Sequence, residues 1–298
     1  MKNFDQMEEF VRSHPSVKRV ALAAAHDGDA LGSLMMAVER GIAEAVLIGR
    51  QGEIERLLGE MGKNPADFRI IDESDDRAAV DKAVELVHRG EADMPMKGLM
   101  HTATFMKGIL DKETGLKEEG NLLSQASVFE VPEMDKLLII TDCAVNIDPD
   151  LETKIKITEN AVTLAHTLGI EQPNIAVLSA VEVVNPKIRN TVDAAAMCER
   201  LSGKYRIAGP LALDNAIDKA AARHKGIDNP VAGNADILVV PDLWSGNIFT
   251  KGLVFFAHLR SAGTLNGLKT PVVMSSRTDT VENKYLSILT AVLQSISK

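Results

Sequence analysis

The chain has 298 residues, which is long for one hydrophobic core, so its length predicts two domains. Its 42 acidic residues outnumber its 33 basic ones, and only 4% of its residues are aromatic, a composition that argues against nucleic acid as a partner. Any anionic small molecule must therefore be held by a local cluster of basic residues.

The N-terminal segment and the cysteines predict a cytoplasmic protein. The segment MKNFDQMEEF is acidic and amphipathic, unlike a secretion signal, and no apolar run approaches membrane-spanning length. Cys143 and Cys198 lie far apart without metal-ligand spacing, which predicts reduced thiols. We expect no membrane partner and no bound metal.

The first third of the chain alternates short aliphatic strands with longer helical segments. The strands are VKRVALAAA, AEAVLIG, FRIID and ADMPMKG, and each leads through a polar or glycine-bearing turn into a helical pattern. This alternation predicts an α/β fold in which helices cover both faces of a largely parallel sheet, as three α/β/α layers.

The middle of the chain changes this rhythm. A charged connector over residues 111–121 precedes SQASVFEV and KLLIITDCAV, which predict an antiparallel hairpin because only PEMD separates them. Alternation then resumes through NIAVLSA, RIAGPLA and ADILVVPDL. We interpret the connector as a domain crossing, and the final PVVMSS strand and its helix could return to the first sheet.

Three loops concentrate groups that can hold a phosphate, and the first is KGLMHTATFMK. Lys97, His101, Thr102 and Thr104 fall at its strand-to-helix junction. The structural alternative is that Thr102 caps the helix and His101 is a solvated loop residue.

The second loop is VVPDLWSGNIFTK, which carries Ser245, Gly246, Asn247 and Lys251. A strand that ends where a helix begins presents free N–H groups and a favourable dipole to an anion. The alternative is ordinary loop chemistry, in which Ser245 or Asn247 caps the helix.

The third loop is SSRTDTVENK. A cap by Ser276 or Thr278, with Asp279 and Glu282 complementing the helix dipole, explains most of its residues. Arg277 does not fit that explanation, because a cation near a helix N-terminus opposes the dipole unless an anion lies between them. The arginine therefore favours a functional site.

Other motifs argue against nucleotide and metal chemistry. The loop HDGDALG lacks the G-x-G-x-x-G spacing of a dinucleotide site, and the chain has no G-x-x-x-x-G-K-[ST] phosphate loop. Asp142, Asp148 and Asp150 in TDCAVNIDPD could suggest a metal. Their spacing is not that of a calcium loop, and turn formation explains them as well.

Along nearly its whole length, the chain resembles the phosphate acyltransferase family, which comprises the phosphate acetyltransferases and phosphate butyryltransferases. The stretches that carry the resemblance are ERGIAEAVLIG, KGLMHTATFMK, TDCAVNIDPDLETK, LSAVEVVNPKI, GPLALDNAI, NPVAGNADILVVPDLWSGNIFTKG and VVMSSRTDTVENK. SGNI-x-x-K and the S-R pair are the most specific. VEVVNPKI, GPLALDNAI and SSR-x-D resemble the butyryltransferase branch more closely.

The resemblance implies reversible transfer of a short acyl group between coenzyme A and inorganic phosphate, with coenzyme A as a substrate and no further cofactor. It implies a fold like that of isocitrate and isopropylmalate dehydrogenases, with the site in a cleft between two domains. The first domain would comprise residues 1–112 and 266–298, and the second residues 113–265. The second is expected to be the dimerisation domain of a homodimer or larger assembly.

The resemblance also assigns roles to the polar residues of the three loops. Ser276 and Arg277 would be catalytic, with Arg277 on the phosphate or the developing oxyanion. The expected phosphate or acyl phosphate ligands are Lys251, Asn247, Gly246, Ser245, His101 and Thr102, and the expected coenzyme contacts are Lys97, Thr104 and Asn283.

One position departs from the family pattern. The acetyl branch has an aspartate, the proposed general base, six residues beyond the arginine of the S-R pair, where this chain has Asn283. Either Asp279 takes that role, or catalysis relies on charge stabilisation, or the activity is altered. The rival hypotheses are an acyl-CoA-binding homologue without turnover and a decarboxylating dehydrogenase, and the acyl group is expected to be butyryl or branched.

Overall fold

The structure is a computed structural model that describes residues 1–297. The chain forms two compact units. The terminal unit comprises Phe4–Asn121 and the described residues from Ala262 onward, and the central unit comprises Met1–Asn3 and Leu122–Ser261. The chain passes from one unit to the other at 3/4, 121/122 and 261/262. The sequence analysis predicted domain boundaries at 112/113 and 265/266. The charged connector stays with the terminal unit because Lys117 bridges to Leu268.

A four-stranded parallel sheet forms the centre of the terminal unit. Its strands lie in the order β3-β2-β1-β4, and each neighbouring pair is parallel, as predicted. The elements are α1 (Phe4–Ser13), β1 (Lys18–Ala23), α2 (Gly28–Glu39), β2 (Ala43–Gly49), α3 (Gln51–Glu60), β3 (Arg69–Asp72), α4 (Asp76–His88), β4 (Met94–Lys97) and α5 (Thr102–Ile109).

The central unit begins with the predicted antiparallel hairpin, which is followed by parallel strands. Its order is β5-β6-β9-β7-β8. The elements are β5 (Ser124–Val131), β6 (Lys136–Thr141), α6 (Leu151–Thr167), β7 (Asn174–Leu178), α7 (Arg189–Leu201), β8 (Arg206–Leu211), α8 (Leu213–Ile217), α9 (Lys219–His224), β9 (Ile237–Val239) and α10 (Leu243–Phe255). The core of this unit is apolar and mostly aliphatic, and it includes Phe129, Ile140 and Leu238.

The C-terminal segment returns to the terminal unit. Strand β10 (Ser261–Asn266), which the sequence did not predict, is followed by residues that lie along β4. The predicted PVVMSS strand is reduced to one parallel bridge between Met96 and Val273. Helix α11 (Val281–Ile296) then packs on α1 and α2, which buries nearly all of its length. The bridge places residues 275–277 beside the carboxyl end of β4.

These observations confirm an α/β fold with largely parallel sheets. The closer likeness to isocitrate and isopropylmalate dehydrogenases stays a prediction. Within residues 1–297, no helix combines the length and the apolar character that crossing a membrane requires.

Candidate active site

The terminal unit holds a buried lysine at the end of its sheet. Lys97 is the last residue of β4 and only 5% exposed. Its ammonium donates to the main-chain oxygens of Gly98 and Met100 at 3.3 and 3.4 Å, and neither acceptor carries a formal charge. Burial is the main reason that the pKa of Lys97 is lowered, and the neighbouring Arg277 lowers it further. An anion bound here would stabilise the charged form of Lys97.

Arg277 reaches the same place from the opposite end of the chain. It lies in the exposed loop before α11, and its Nη2 donates to the oxygen of Met100 at 3.1 Å. The loop is brought there by the bridge to β4, in which Lys97 N donates to the oxygen of Val273 at 3.0 Å. The structure therefore brings together two of the cations that the sequence selected.

An open pocket of about 570 Å³ lies at this loop, and its lining includes several predicted residues. The lining residues are His101, Thr102, Ala103, Ser275, Ser276 and Arg277. Helix α5 begins at Thr102 with His101 in the cap position, so the expected cap by Thr102 is wrong. Thr104, also on the first turn, is half-buried. Hydroxyl, imidazole and guanidinium groups at one pocket suit an oxyanion ligand.

Lys284 is a functional candidate that the sequence reasoning missed. It lies on the first turns of α11 and is 3% exposed. Its ammonium donates to the main-chain oxygens of Arg277, at 3.3 Å, and Asp279. The signal was present in the sequence as a lone basic residue within the apolar run VENKYLSILTAVL.

Asp279 closes the turn that carries Arg277. Its Oδ2 accepts from Ser276 N at 2.7 Å, and its own N–H donates to the oxygen of Ser276 at 3.2 Å. Thr280, not Ser276 or Thr278, caps α11, because its Oγ1 accepts from Asn283 N at 3.1 Å. The expected cap at Ser276 or Thr278 is therefore wrong.

The loop after β4 packs tightly on the loop after β1. A Cβ at Gly98 would lie 2.2 Å from the oxygen of Ala24, so only glycine fits this approach. Ala24 itself has a φ of 56°, in the left-handed region that side chains disfavour. Asp27 then caps α2 by accepting from Asp29 N at 3.0 Å. These contacts fix the backbone that supports Lys97.

The central unit holds the second predicted loop at the start of α10. Asp242 caps this helix by accepting from both the N–H and the hydroxyl of Ser245, at 2.8 and 2.9 Å. The expected cap by Ser245 or Asn247 is wrong. A Cβ at Gly246 would lie 2.7 Å from the oxygen of Asp142, which explains the glycine. Asn247 Nδ2 donates to the oxygen of Cys143 at 3.2 Å.

Lys251 is exposed and lies one helical turn beyond Asn247, so the two residues share one side of α10. The structure thus places Ser245, Gly246, Asn247 and Lys251 on the first three turns of one helix. Peptide N–H groups at this end favour an anion.

The aspartates of the β6 loop have structural roles. Asp142 is buried and accepts from the backbone N–H groups of residues 144–146. Asp150 caps α6 by accepting from Thr153 N at 2.9 Å. Burial raises the pKa of Cys198 to about 11, and burial also raises that of Cys143. A thiol with a raised pKa is a poor nucleophile at neutral pH.

Comparison with known proteins agrees with the chemistry of these groups. A family model described as Phosphate acetyl/butaryl transferase matches residues 75–292. A phosphate butyryltransferase of Clostridium acetobutylicum is 43% identical over 298 residues, which cover 98% of both chains. A phosphate acetyltransferase of Thermotoga maritima is 42% identical over 278 residues, 91% of this chain and 93% of that one.

A solved structure gives the same result. A branched-chain phosphotransacylase from Enterococcus faecalis superposes with a TM-score of 0.83 at 33% identity, covering 94% of this chain and 99% of that one. The family model spans most of the chain, and the clostridial relative aligns with nearly all of it. This chain belongs to the Phosphate acetyl/butaryl transferase family.

Proposed function

We propose that this protein catalyses the reversible transfer of a short-chain acyl group between coenzyme A and inorganic phosphate. The observation that carries the proposal is the convergence of Lys97 and Arg277 on the oxygen of Met100, with Lys284 behind the same loop. Acyl transfer to or from phosphate builds up negative charge that such a concentration of positive charge can stabilise, although this protein has a net charge of -9 overall.

The reaction creates negative charge at two places. In the direction of thioester formation, the thiolate of coenzyme A attacks the carbonyl carbon of the acyl phosphate, forming a C–S bond and an oxyanion. Collapse of this intermediate breaks the C–O bond to phosphate, which leaves with the electron pair. We propose that Arg277 stabilises the developing charge through two parallel N–H donors and that Ser276, beside it, contributes a hydroxyl.

The attacking thiol must lose a proton, because its pKa lies near the ~8.5 of an ordinary thiol. We propose Asp279 as the acceptor of that proton, since it lies two residues from Arg277 and carries a carboxylate that Asn283 lacks. The alternative is that cations alone stabilise the thiolate.

The remaining predicted residues are proposed as ligands. Lys251 would neutralise phosphate as a point charge, supported by the helix N-terminus that holds Ser245, Gly246 and Asn247. His101 and Thr102, in the pocket lining, would bind phosphate or acyl phosphate oxygens. Lys97 and Thr104 are proposed coenzyme contacts. Asn283 is 6% exposed, which makes it the weakest of the proposed coenzyme contacts.

We propose that the chain needs no cofactor beyond its substrate coenzyme A and no metal. The support is that lysine and arginine side chains already supply the positive charge that the reaction requires. Activity should then survive prolonged dialysis against a chelator.

We propose butyryl or a branched four- to five-carbon acyl group as the preferred substrate. The support is a relative named phosphate butyryltransferase at 43% identity and a structure named branched-chain phosphotransacylase at 33%. The test is phosphate-dependent release of thiol from acetyl-, butyryl- and isobutyryl-CoA, where the four-carbon thioesters should react fastest. A wild-type protein that releases no thiol from any of them would overturn the proposed function, and a preference for acetyl-CoA would overturn only the acyl preference.

A second candidate function is supported by Asn283, which replaces the expected carboxylate. An acyl-CoA-binding protein without turnover would bind acetyl- or butyryl-CoA in calorimetry but release no thiol on addition of phosphate. The same pair of measurements therefore separates the two functions.

We also propose that the protein forms a homodimer through the central unit. Four large apolar side chains of the α10 region are exposed, namely Trp244, Ile248, Phe255 and Phe256. Exposed apolar patches on folded proteins commonly mark protein contacts. Light scattering should report a dimer for the wild type and a monomer for Ile248→Asp. The predicted cytoplasmic location stays a prediction.

A further inference from the structure

We propose that Lys284 is a positioning residue for Arg277, holding the loop that presents its guanidinium to the anionic substrate. The proposal rests on the acyl transfer proposed above. The sequence analysis assigned no role to this buried ammonium.

The burial of Lys284 requires an explanation. An isolated ammonium in the protein interior costs several kcal/mol unless charged or polar partners compensate it. Lys284 is 3% exposed, and its ion pair with Asp29 Oδ2 is long, at 3.9 Å. Asp29 itself is largely exposed, so this pair compensates only weakly.

The main partners of Lys284 are two main-chain carbonyls of the loop before α11. The ammonium donates to the oxygen of Arg277 at 3.3 Å and to the oxygen of Asp279. Within the same turn, Asp279 Oδ2 accepts a hydrogen bond from Ser276 N. One side chain on α11 thus fixes the backbone at Arg277 and two residues beyond it.

The position also places positive charge where a helix disfavours it. Lys284 lies near the N-terminus of the 16-residue helix α11, where the dipole repels cations. This charge also acts on Lys97, whose pKa is lowered by burial, by Arg277 and by Lys284. Three cations accumulate at one edge of the sheet, and a bound anion would relieve their repulsion.

A purely structural role is the alternative. Lys284 would then stabilise the start of α11, and its loss would lower the stability of the protein without changing turnover by the folded fraction. The central unit offers a matched control, because Lys154 is 4% exposed and pairs with Asp193 at 2.7 Å.

The first experiment compares Lys284→Met with Lys154→Met, each measured for kcat, for KM of phosphate and acyl-CoA, and for thermal stability. We expect Lys284→Met to lose at least about tenfold in kcat, because misplaced catalytic groups can cost up to about 10²-fold. Lys284→Arg, which retains the charge, should recover part of this loss. Lys154→Met should lose stability while keeping kcat. Unchanged kcat in Lys284→Met would overturn the proposal.

The second experiment tests whether Lys284 acts through Arg277. If it does, Lys284→Met should lower turnover much less in an Arg277→Ala background than in the wild type. A structural role predicts the same loss in both backgrounds, and that result would overturn the proposal.

A third readout does not depend on activity. The amides of Ser276 and Asp279 are hydrogen-bonded within the turn, so their hydrogen exchange should be faster in Lys284→Met than in Lys154→Met. Equal exchange in the two variants would overturn the positioning role. Hydrogen exchange tests the positioning role whether or not the protein is active. Thiol release by the wild type tests the proposed function separately.

Discussion

Lys97 and Arg277 donate to one acceptor, the main-chain oxygen of Met100, at 3.4 and 3.1 Å. Two cations that share an acceptor repel each other, and the repulsion grows where water is excluded. An oxyanion between them would replace repulsion with two attractive contacts. We therefore propose that an anionic group of a substrate binds in the terminal unit beside this shared carbonyl.

Replacement of Arg277 tests the catalytic assignment. Arg277→Ala should reduce kcat by about 10²- to 10³-fold, the usual cost of removing a donor aimed at developing charge. Thermal stability should change little because the side chain is exposed. Arg277→Lys keeps the charge but loses the paired donors, so we expect it to recover only part of the activity. Normal turnover in Arg277→Ala would remove this residue from the mechanism.

The lowered pKa of Lys97 predicts a pH-dependent stability. A lysine whose pKa is lower in the folded chain binds fewer protons there than in the unfolded chain, so stability should rise with pH. The penalty is full below the folded pKa and disappears as the pH approaches the unfolded value near 10.5. Lys97→Met should therefore be more stable than the wild type at neutral pH, and this gain should shrink at high pH.

Urea unfolding at a series of pH values measures that gain. In the same variant, coenzyme A should raise the melting temperature less than it does in the wild type, because Lys97 is a proposed coenzyme contact. A variant that is less stable at neutral pH, with an unchanged response to coenzyme A, would show that Lys97 is a structural residue.

The strands and the site loops were predictable because their signals are local. Short aliphatic runs followed by polar turns indicate buried parallel strands, and the β1 to β4 region follows that pattern closely. The carboxyl ends of neighbouring parallel strands lie together, and the sequence analysis selected Lys97 and Arg277 near two such ends without pairing them. The hydrogen bond that brings Arg277 to this end of β4 joins it to Met100, 177 positions away in the sequence, and a single bridge at Val273 holds the two segments together.

The helix caps and Lys284 were not predictable for a different reason. At α10 and α11 several capping residues compete within a few positions, and backbone geometry selects Asp242 and Thr280. A lysine in a helical pattern is normally assigned to the solvent face. Lys284 is buried because α1 and α2 pack on α11, and such packing is a property of the folded chain.

Lys251 should act on phosphate more than on the coenzyme. Lys251→Ala should raise the KM for phosphate far more than the KM for acyl-CoA, because the ammonium is proposed to bind phosphate in both ground state and transition state. Lys204→Ala, another exposed lysine of the central unit, is the control and should change neither constant. Equal increases in both KM values for Lys251→Ala would assign this lysine to the coenzyme instead.

Asp279, the proposed proton acceptor, can be replaced without breaking the turn that it closes. In Asp279→Asn, the amide oxygen can still accept from Ser276 N, so the turn should persist while the proton acceptor is lost. We expect turnover to fall by at least about 10²-fold and stability by about 1 kcal/mol or less. Asp279→Ala, which removes the turn contact as well, should lose more stability.

Asn283→Asp completes the test because it restores a carboxylate at the position where the acetyl branch has one. If Asp279 is the base, Asn283→Asp should stay active without a large gain in turnover. It should also fail to restore the turnover of Asp279→Asn, because residue 283 is buried on the first turn of α11. Thiol release and thermal unfolding of the three single variants and the double variant measure both properties. Near-normal turnover in Asp279→Asn would leave charge stabilisation by Arg277 and Lys97 as the mechanism, and a large gain in Asn283→Asp would show that the ancestral base had been lost.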